Sequence, residues 1–152
     1  MIRKSLAALA LAAALAPLAA HAEPPAPAID DPISLRMNLM SDVGATMGVM
    51  AAMAKGETEF NAGAAKAALV ALNAAAMGFP AQFPEGATGA PSEAAPAIWE
   101  NPEGFEAAAA KFIADTYQAK GMEVTDVESL KQAMGVVGAN CRACHQDYRE
   151  RN

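Results

Sequence analysis

Basic residues, β-branched residues and histidine are all scarce in this 152-residue sequence. Eleven Lys and Arg stand against seventeen Asp and Glu, so the net charge is −6. A chain of that charge would repel the phosphates of nucleic acid, whereas it suits protein partners with a basic docking face. Alanine is abundant and β-branched residues are few, which favours helices over sheets. We therefore expect an all-α protein that does not bind nucleic acid.

The apolar run near the N-terminus, residues 6–15, is shorter than the roughly 20 residues that a membrane-spanning helix needs, and Pro17 interrupts its end. It follows the basic start MIRK and precedes the small-residue pattern AHA, which ends at Ala22. That layout is typical of a secretory signal peptide. The sequence predicts cleavage after Ala22, with residues 1–22 removed and no stable membrane insertion. An uncleaved membrane anchor is the alternative.

Cleavage would leave a mature chain with one histidine. The chain has two histidines and two cysteines, and His21 belongs to the predicted signal peptide. A structural zinc site needs four ligands, usually in two Cys or His pairs, and the mature chain has no second pair. The remaining histidine nevertheless lies beside both cysteines, in the sequence CRACH at residues 141–145.

Helical patterns dominate the rest of the chain. The sequence predicts a proline-rich flexible leader at residues 23–31 and one domain at residues 32–152. The spacing of apolar residues and the capping signals predict four helices: from Pro32 to Lys55, from about Asn61 to Met77, from Asn101 to Gly121, and after a capping box formed by Thr125 and Glu128. Residues 79–99 are rich in Pro, Gly and Ala and predict a long connection with a short helical turn at its end. Short, long and short connections predict an antiparallel four-helix bundle.

Cys141, Cys144 and His145 form a C-x-x-C-H motif whose members share one face of a helix. A thioredoxin-like redox pair sits where a strand meets a helix, and no strand is predicted here. Covalent haem attachment needs two thiols and an adjacent imidazole that binds iron. The motif therefore predicts one haem c, with thioethers at both cysteines and His145 as an iron ligand. A haemless bundle with a disulfide between the cysteines is the alternative.

A C-x-x-C-H motif near the C-terminus, behind a four-helix pattern, resembles the class II c-type cytochromes, the cytochrome c′ family. The resemblance rests on GANCRACHQDYRE, on AIW before the third helix, and on Arg36-x-x-x-Met40 in the first helix. It implies a bundle that holds haem between its helices near the C-terminal helix, with His145 as the proximal ligand. It also implies a homodimer through the first two helices. The predicted signal peptide indicates a periplasmic location, because haem c is attached outside the cytoplasmic membrane.

The resemblance places the distal position at Met40, four residues after Arg36. In the low-spin branch of the family a methionine there binds iron, whereas in the high-spin branch an apolar side chain shields an open site that admits NO or CO. The first-helix sequence looks more like the low-spin branch, so we expect Met40 to bind iron, with Met37 or Met47 as alternatives. Arg36 is a candidate propionate contact, with a solvated cation as the alternative.

These observations predict a periplasmic one-electron carrier with one haem c and with His145 and Met40 as axial ligands. The alternative function is a high-spin cytochrome c′ that binds NO or CO. We expect redox proteins as partners and no enzymatic activity, because paired carboxylates, a nucleophile with its base and a glycine-rich phosphate loop are not evident.

Overall fold

The computed structural model describes residues 31–150. The predicted signal peptide and residues 23–30 of the predicted leader lie outside the described residues. The structure contains five helices and one 3₁₀ turn, Pro80–Gln82, in this part of the chain. The helices are α1 (Pro32–Lys55), α2 (Ala62–Gly78), α3 (Ala97–Glu100), α4 (Pro102–Gly121) and α5 (Val127–Tyr148). The four long helices and the short turn before the third of them confirm the predicted element order.

The first helix begins and ends where its local sequence predicts. The Asp31 carboxylate accepts a hydrogen bond from the Ser34 backbone N–H at 2.8 Å, and Pro32 occupies the first helical position, where its missing N–H has no cost. Gly56 ends the helix in the left-handed conformation with φ 74°, which glycine adopts without steric strain. α1 is therefore specified by residues at its own two ends.

The capping box of α5 differs from the predicted one. The N-cap residue is Asp126, whose carboxylate accepts a hydrogen bond from the Ser129 N–H at 2.8 Å. In return, Ser129 Oγ accepts from the Asp126 N–H at 3.1 Å. The prediction of Thr125 and Glu128 was wrong by one residue. A carboxylate is a stronger acceptor of backbone N–H groups than a threonine hydroxyl, and the observed register buries Leu130 completely.

Each long helix packs against two others, in the ring α1–α2–α4–α5 and back to α1. Helices joined by short connections, α1 with α2 and α4 with α5, lie side by side and so run antiparallel. The largest fully buried apolar side chains come from three of these helices: Met50, Leu69, Leu72, Leu130 and Val137. The predicted four-helix bundle is confirmed. Within residues 31–150, no helix has both the length and the apolar character required to cross a membrane.

A buried polar contact sets the register between α2 and α4. The Asn73 side chain is 1% exposed, donates to Thr116 Oγ1 at 3.1 Å and accepts from Lys120 Nζ at 2.6 Å. Since a buried amide without partners would destabilise the fold by about 1–3 kcal/mol, sliding one helix along the other is unfavourable.

The long connection between α2 and α4 lies against the end of the bundle where α5 terminates. Phe83 in this connection makes an edge-to-face contact with Phe105 of α4, with ring centroids 4.8 Å apart, and Phe105 does the same with Tyr148 of α5 at 5.5 Å. Aromatic pairs of this geometry stabilise beyond the area that they bury. The connection is therefore packed onto α4 and α5.

Candidate functional site

The C-x-x-C-H motif lies in the last two turns of α5. Cys141 and Cys144 are half-buried with free thiols, and His145 is more exposed. Because α5 continues to Tyr148, the three side chains share one helix face, as predicted. A cavity of about 710 Å³ opens beside Cys141 and His145, and its other lining residues are Glu93, Arg142, Gln146, Arg149 and Glu150.

The surroundings favour the neutral forms of His145 and Cys144. Burial lowers the pKa of His145, and the Arg149 cation lowers it further against the opposing effect of Glu93. The imidazole is therefore neutral at neutral pH, which is the form that binds a metal. Burial raises the pKa of the Cys144 thiol, with smaller contributions from Cys141 and Asp147. The site thus presents a neutral nitrogen donor and a neutral thiol.

Met40 lies on α1, which packs directly against α5 and so closes the ring of four helices. Its side chain is half-buried and contacts the apolar core. The two alternatives on the same helix differ from each other, since Met37 is 40% exposed and Met47 is half-buried. Met50, by contrast, is fully buried core. The helix carrying Met40 is therefore adjacent to the helix carrying His145.

Arg36 is 2% exposed, so the alternative of a solvated cation was wrong. Its Nε donates to Ser92 Oγ at 2.9 Å, and its Nη1 donates to the carbonyl oxygens of Gln82 and Ala87 at 3.2 and 2.9 Å. The guanidinium carbon lies 4.9 Å from the centroid of the Phe83 ring. Burial lowers the pKa of Arg36, but a guanidinium remains charged in proteins.

One donor of Arg36 is left over. Its Nη2 is buried and has no hydrogen-bond partner among residues 31–150. A buried unpaired donor costs about 1–3 kcal/mol, and more on a charged group, so the site favours an anionic acceptor at this atom. A carboxylate such as a haem propionate fits that requirement.

The donors present fit a haem. Two thiols and a neutral imidazole share one face of α5, a thioether lies on the neighbouring helix, and a buried cation has a free donor. Haem brings its own four equatorial nitrogens and needs only axial ligands from the protein. Within residues 31–150, no three His, Cys, Asp or Glu side chains are arranged to hold a metal ion by themselves.

Sequence reasoning missed the partners of Arg36 and a contact made by the residue directly before the C-x-x-C-H motif. Asn140, directly before Cys141, donates to the Asp115 carboxylate of α4 at 2.7 Å. Ser92, which accepts from Arg36, is 56 residues away along the chain. Contacts between residues so distant carry no local sequence signal, because periodicity and capping report only on neighbours within a few residues.

Comparisons with known proteins identify the family of this chain. The family model described as Cytochrome C' matches residues 31–149. A cytochrome c-556 from Agrobacterium fabrum is 44% identical over 118 residues, covering 77% of this chain and 80% of that protein. A cytochrome c′ from Rhodopseudomonas palustris is 35% identical over 120 residues, covering 78% of this chain and 82% of that protein.

The fold agrees as well. A solved structure of cytochrome c′ from Rhodopseudomonas palustris has a TM-score of 0.74 and 34% identity to this chain, covering 80% of it and 98% of the other. Family members bind one covalently attached haem c, and the two cysteines required for that attachment lie on α5. By fold, motif and sequence, this chain belongs to the cytochrome c′ family of class II c-type cytochromes.

Proposed function

We propose that the protein is a periplasmic one-electron carrier whose haem iron is low-spin, with His145 and Met40 as axial ligands. The observation that carries this proposal is the position of Met40: half-buried, on the helix adjacent to that of His145, and one turn after the buried Arg36. Cytochrome c-556 is the low-spin branch of the family, and the 44% identity to a cytochrome c-556 supports the same ligand set.

Five side chains would hold the haem. Cys141 and Cys144 would bind it through thioethers, His145 and Met40 would bind its iron, and Arg36 would donate from Nη2 to a propionate. When bound, the haem supplies a one-electron redox couple. Both axial donors are neutral, and the soft thioether favours ferrous iron, so this ligand set raises the reduction potential.

Location and partners follow from the sequence rather than from the described residues. Export to the periplasm rests on the predicted signal peptide at residues 1–22. The excess of acidic residues, seventeen against eleven basic ones, favours redox partners with a basic docking face. We expect electron exchange with those partners and no turnover of a substrate.

The proposal includes a homodimer formed by α1 and α2. Of the five large hydrophobic side chains that are exposed within residues 31–150, four lie on these two helices: Met37, Val49, Val70 and Met77. Exposed apolar side chains on two neighbouring helices favour a contact surface there. A second copy would cover them with the same face.

The visible spectrum of the mature protein tests the ligand assignment. We expect a sharp, split pair of ferrous bands, a weak far-red sulfur-to-iron band in the ferric form, and no change on addition of CO. Because CO binds only where the iron has an open coordination position, indifference to CO reports on the sixth ligand.

A high-spin cytochrome c′ that binds NO or CO is the second candidate. The chain also matches a relative named cytochrome c′ at 35% identity, and a half-buried Met40 would shield a distal site without bonding to iron. A broad spectrum that shifts readily with CO would establish this function and exclude the low-spin one.

A further inference from the structure

Residues 92–95, here called the bridging segment, contact both helices that carry the proposed axial ligands. On the α1 side, Ser92 Oγ accepts a hydrogen bond from Arg36 Nε at 2.9 Å. The same oxygen accepts from the Ala94 backbone N–H at 3.2 Å. The serine hydroxyl therefore connects α1 to the backbone of the segment.

On the α5 side, the segment pairs with the last residues of the described chain. Ala94 and Arg149 form an isolated antiparallel bridge. The Ala95 N–H donates to the Tyr148 carbonyl at 3.1 Å, and the Glu150 N–H donates to the Glu93 carbonyl at 2.8 Å. Arg149 Nε also donates to the Glu93 carboxylate at 2.6 Å. The end of α5 is thus held by backbone pairing and by an ion pair.

These contacts fall four residues from each proposed ligand along the chain. Arg36 precedes Met40 on α1 and so shares its helix face. Arg149, which follows His145 by four residues, is the extended residue directly after the end of α5. The direct interface between α1 and α5 is the least extensive of the four helix pairs in the ring. Direct packing between α1 and α5 is therefore limited, and the bridging segment adds a second connection between these two helices.

Several further contacts of Arg36 hold the α1 end of this connection. Arg36 also donates to the carbonyl oxygens of Gln82 and Ala87, and its guanidinium carbon lies 4.9 Å from the Phe83 ring centroid and 5.9 Å from that of Trp99. A planar guanidinium with several fixed acceptors loses little further freedom when it bonds to one more. A displacement of the segment would therefore be transmitted to α1.

We propose that the bridging segment sets the distance between α1 and α5 at the haem, and that Ser92 is a positioning residue for the bond between Met40 and iron. This inference rests on the proposed ligation by Met40. Methionine has a flexible side chain, so the fraction of molecules in which it reaches iron depends on the spacing of the two helices. Loosening the segment lowers the fraction of molecules in which Met40 is bound to iron and raises the fraction in which the sixth coordination position is open.

Ser92→Ala in the haem-bearing protein tests the proposal, with Thr88→Ala as the matched control, because Thr88 lies in the same connection and is exposed. A hydrogen bond to a charged group is strong enough for its loss to shift an equilibrium about tenfold. We expect Ser92→Ala to weaken the far-red sulfur-to-iron band and to bind CO about tenfold faster, while Thr88→Ala matches the parent. Ser92→Thr, which keeps the hydroxyl, should restore the parent's spectrum and CO rate.

Glu93→Gln tests the α5 end, and Glu85→Gln removes the same charge elsewhere in the connection. CO is neutral, so its binding rate reports on access to iron rather than on charge. Faster CO binding in Glu93→Gln but not in Glu85→Gln supports the proposal. Parent-like bands and CO rates in both Ser92→Ala and Glu93→Gln would overturn it while leaving ligation by Met40 intact. A parent without the far-red band would overturn the Met40 assignment, and this inference with it.

Discussion

Asn140 donates its side-chain amide to the Asp115 carboxylate across the α4–α5 interface, with an Nδ2–Oδ2 distance of 2.7 Å. Lys111 Nζ donates to the same carboxylate oxygen at 2.5 Å. The bond from Lys111 and then that from Asn140 stabilise the ionised form, so the pKa of Asp115 lies below its usual value. Because Asn140 directly precedes Cys141, this pair holds the haem-attachment turn of α5 against α4.

Replacing Asp115 with asparagine is expected to lower the free energy of unfolding by about 1 kcal/mol at pH 7, since charge-assisted hydrogen bonds are stronger than neutral ones. Because the folded-state pKa of Asp115 is lowered, its carboxylate contributes fully to the free energy of unfolding well above the unfolded-state pKa of about 3.9. This contribution is lost as pH falls through the folded-state pKa. Chemical denaturation between pH 7 and pH 2 measures this difference. Asp42→Asn, an exposed change on α1, should leave the free energy of unfolding unchanged. If Asp115→Asn remains equally destabilised relative to the parent at pH 2, the explanation is wrong.

Replacing Met40 with alanine is expected to abolish the far-red sulfur-to-iron band and to produce rapid CO binding. The reason is that alanine has no donor atom for the sixth position of the iron. Met47→Ala is the matched control, because Met47 is also half-buried on α1; it should keep the parent's spectrum. If Met47→Ala loses the band and Met40→Ala keeps it, Met47 is the ligand.

Replacing Arg36 with lysine is expected to lower the free energy of unfolding by about 2–4 kcal/mol, because an ammonium keeps the charge but cannot reproduce a planar fork that bonds to Ser92 and to two carbonyls. Chemical denaturation measures the loss. Arg142→Lys provides the control, since Arg142 is exposed on α5. Equal stability of the Arg36 and Arg142 variants would mean that the buried contacts of Arg36 contribute nothing net.

Replacing Val70 with aspartate is expected to convert the proposed dimer to a monomer. Val70 is 47% exposed on α2, and a dimer with two-fold symmetry would bring two such carboxylates into an apolar interface without partners. Sedimentation of the parent and variant measures the assembly. Tyr117→Asp changes an exposed apolar side chain on α4 and should leave the dimer intact; a monomeric parent would remove the dimer from the proposal.

Much of the fold was predictable because its signals are local. Asp31, Pro32 and Gly56 specify both ends of α1 through contacts within the helix termini, and the same holds for Asn61 at the start of α2. The one wrong capping box, at α5, shows the limit of such signals. Thr125 and Asp126 are adjacent and both have side chains that cap helices, and the carboxylate of Asp126, which is the stronger acceptor, takes the N-cap position.

The sequence by itself determined the helices, the haem-attachment motif and its single nearby histidine, because each depends on residue types within a few positions of one another. Only the tertiary structure decided what surrounds that motif. It buried Arg36 against residues 46, 51 and 56 positions away, and it joined residues 92–95 to the end of α5. Such contacts arise when helices and connections pack to bury apolar surface and pair every enclosed polar group, a condition that involves the whole chain at once.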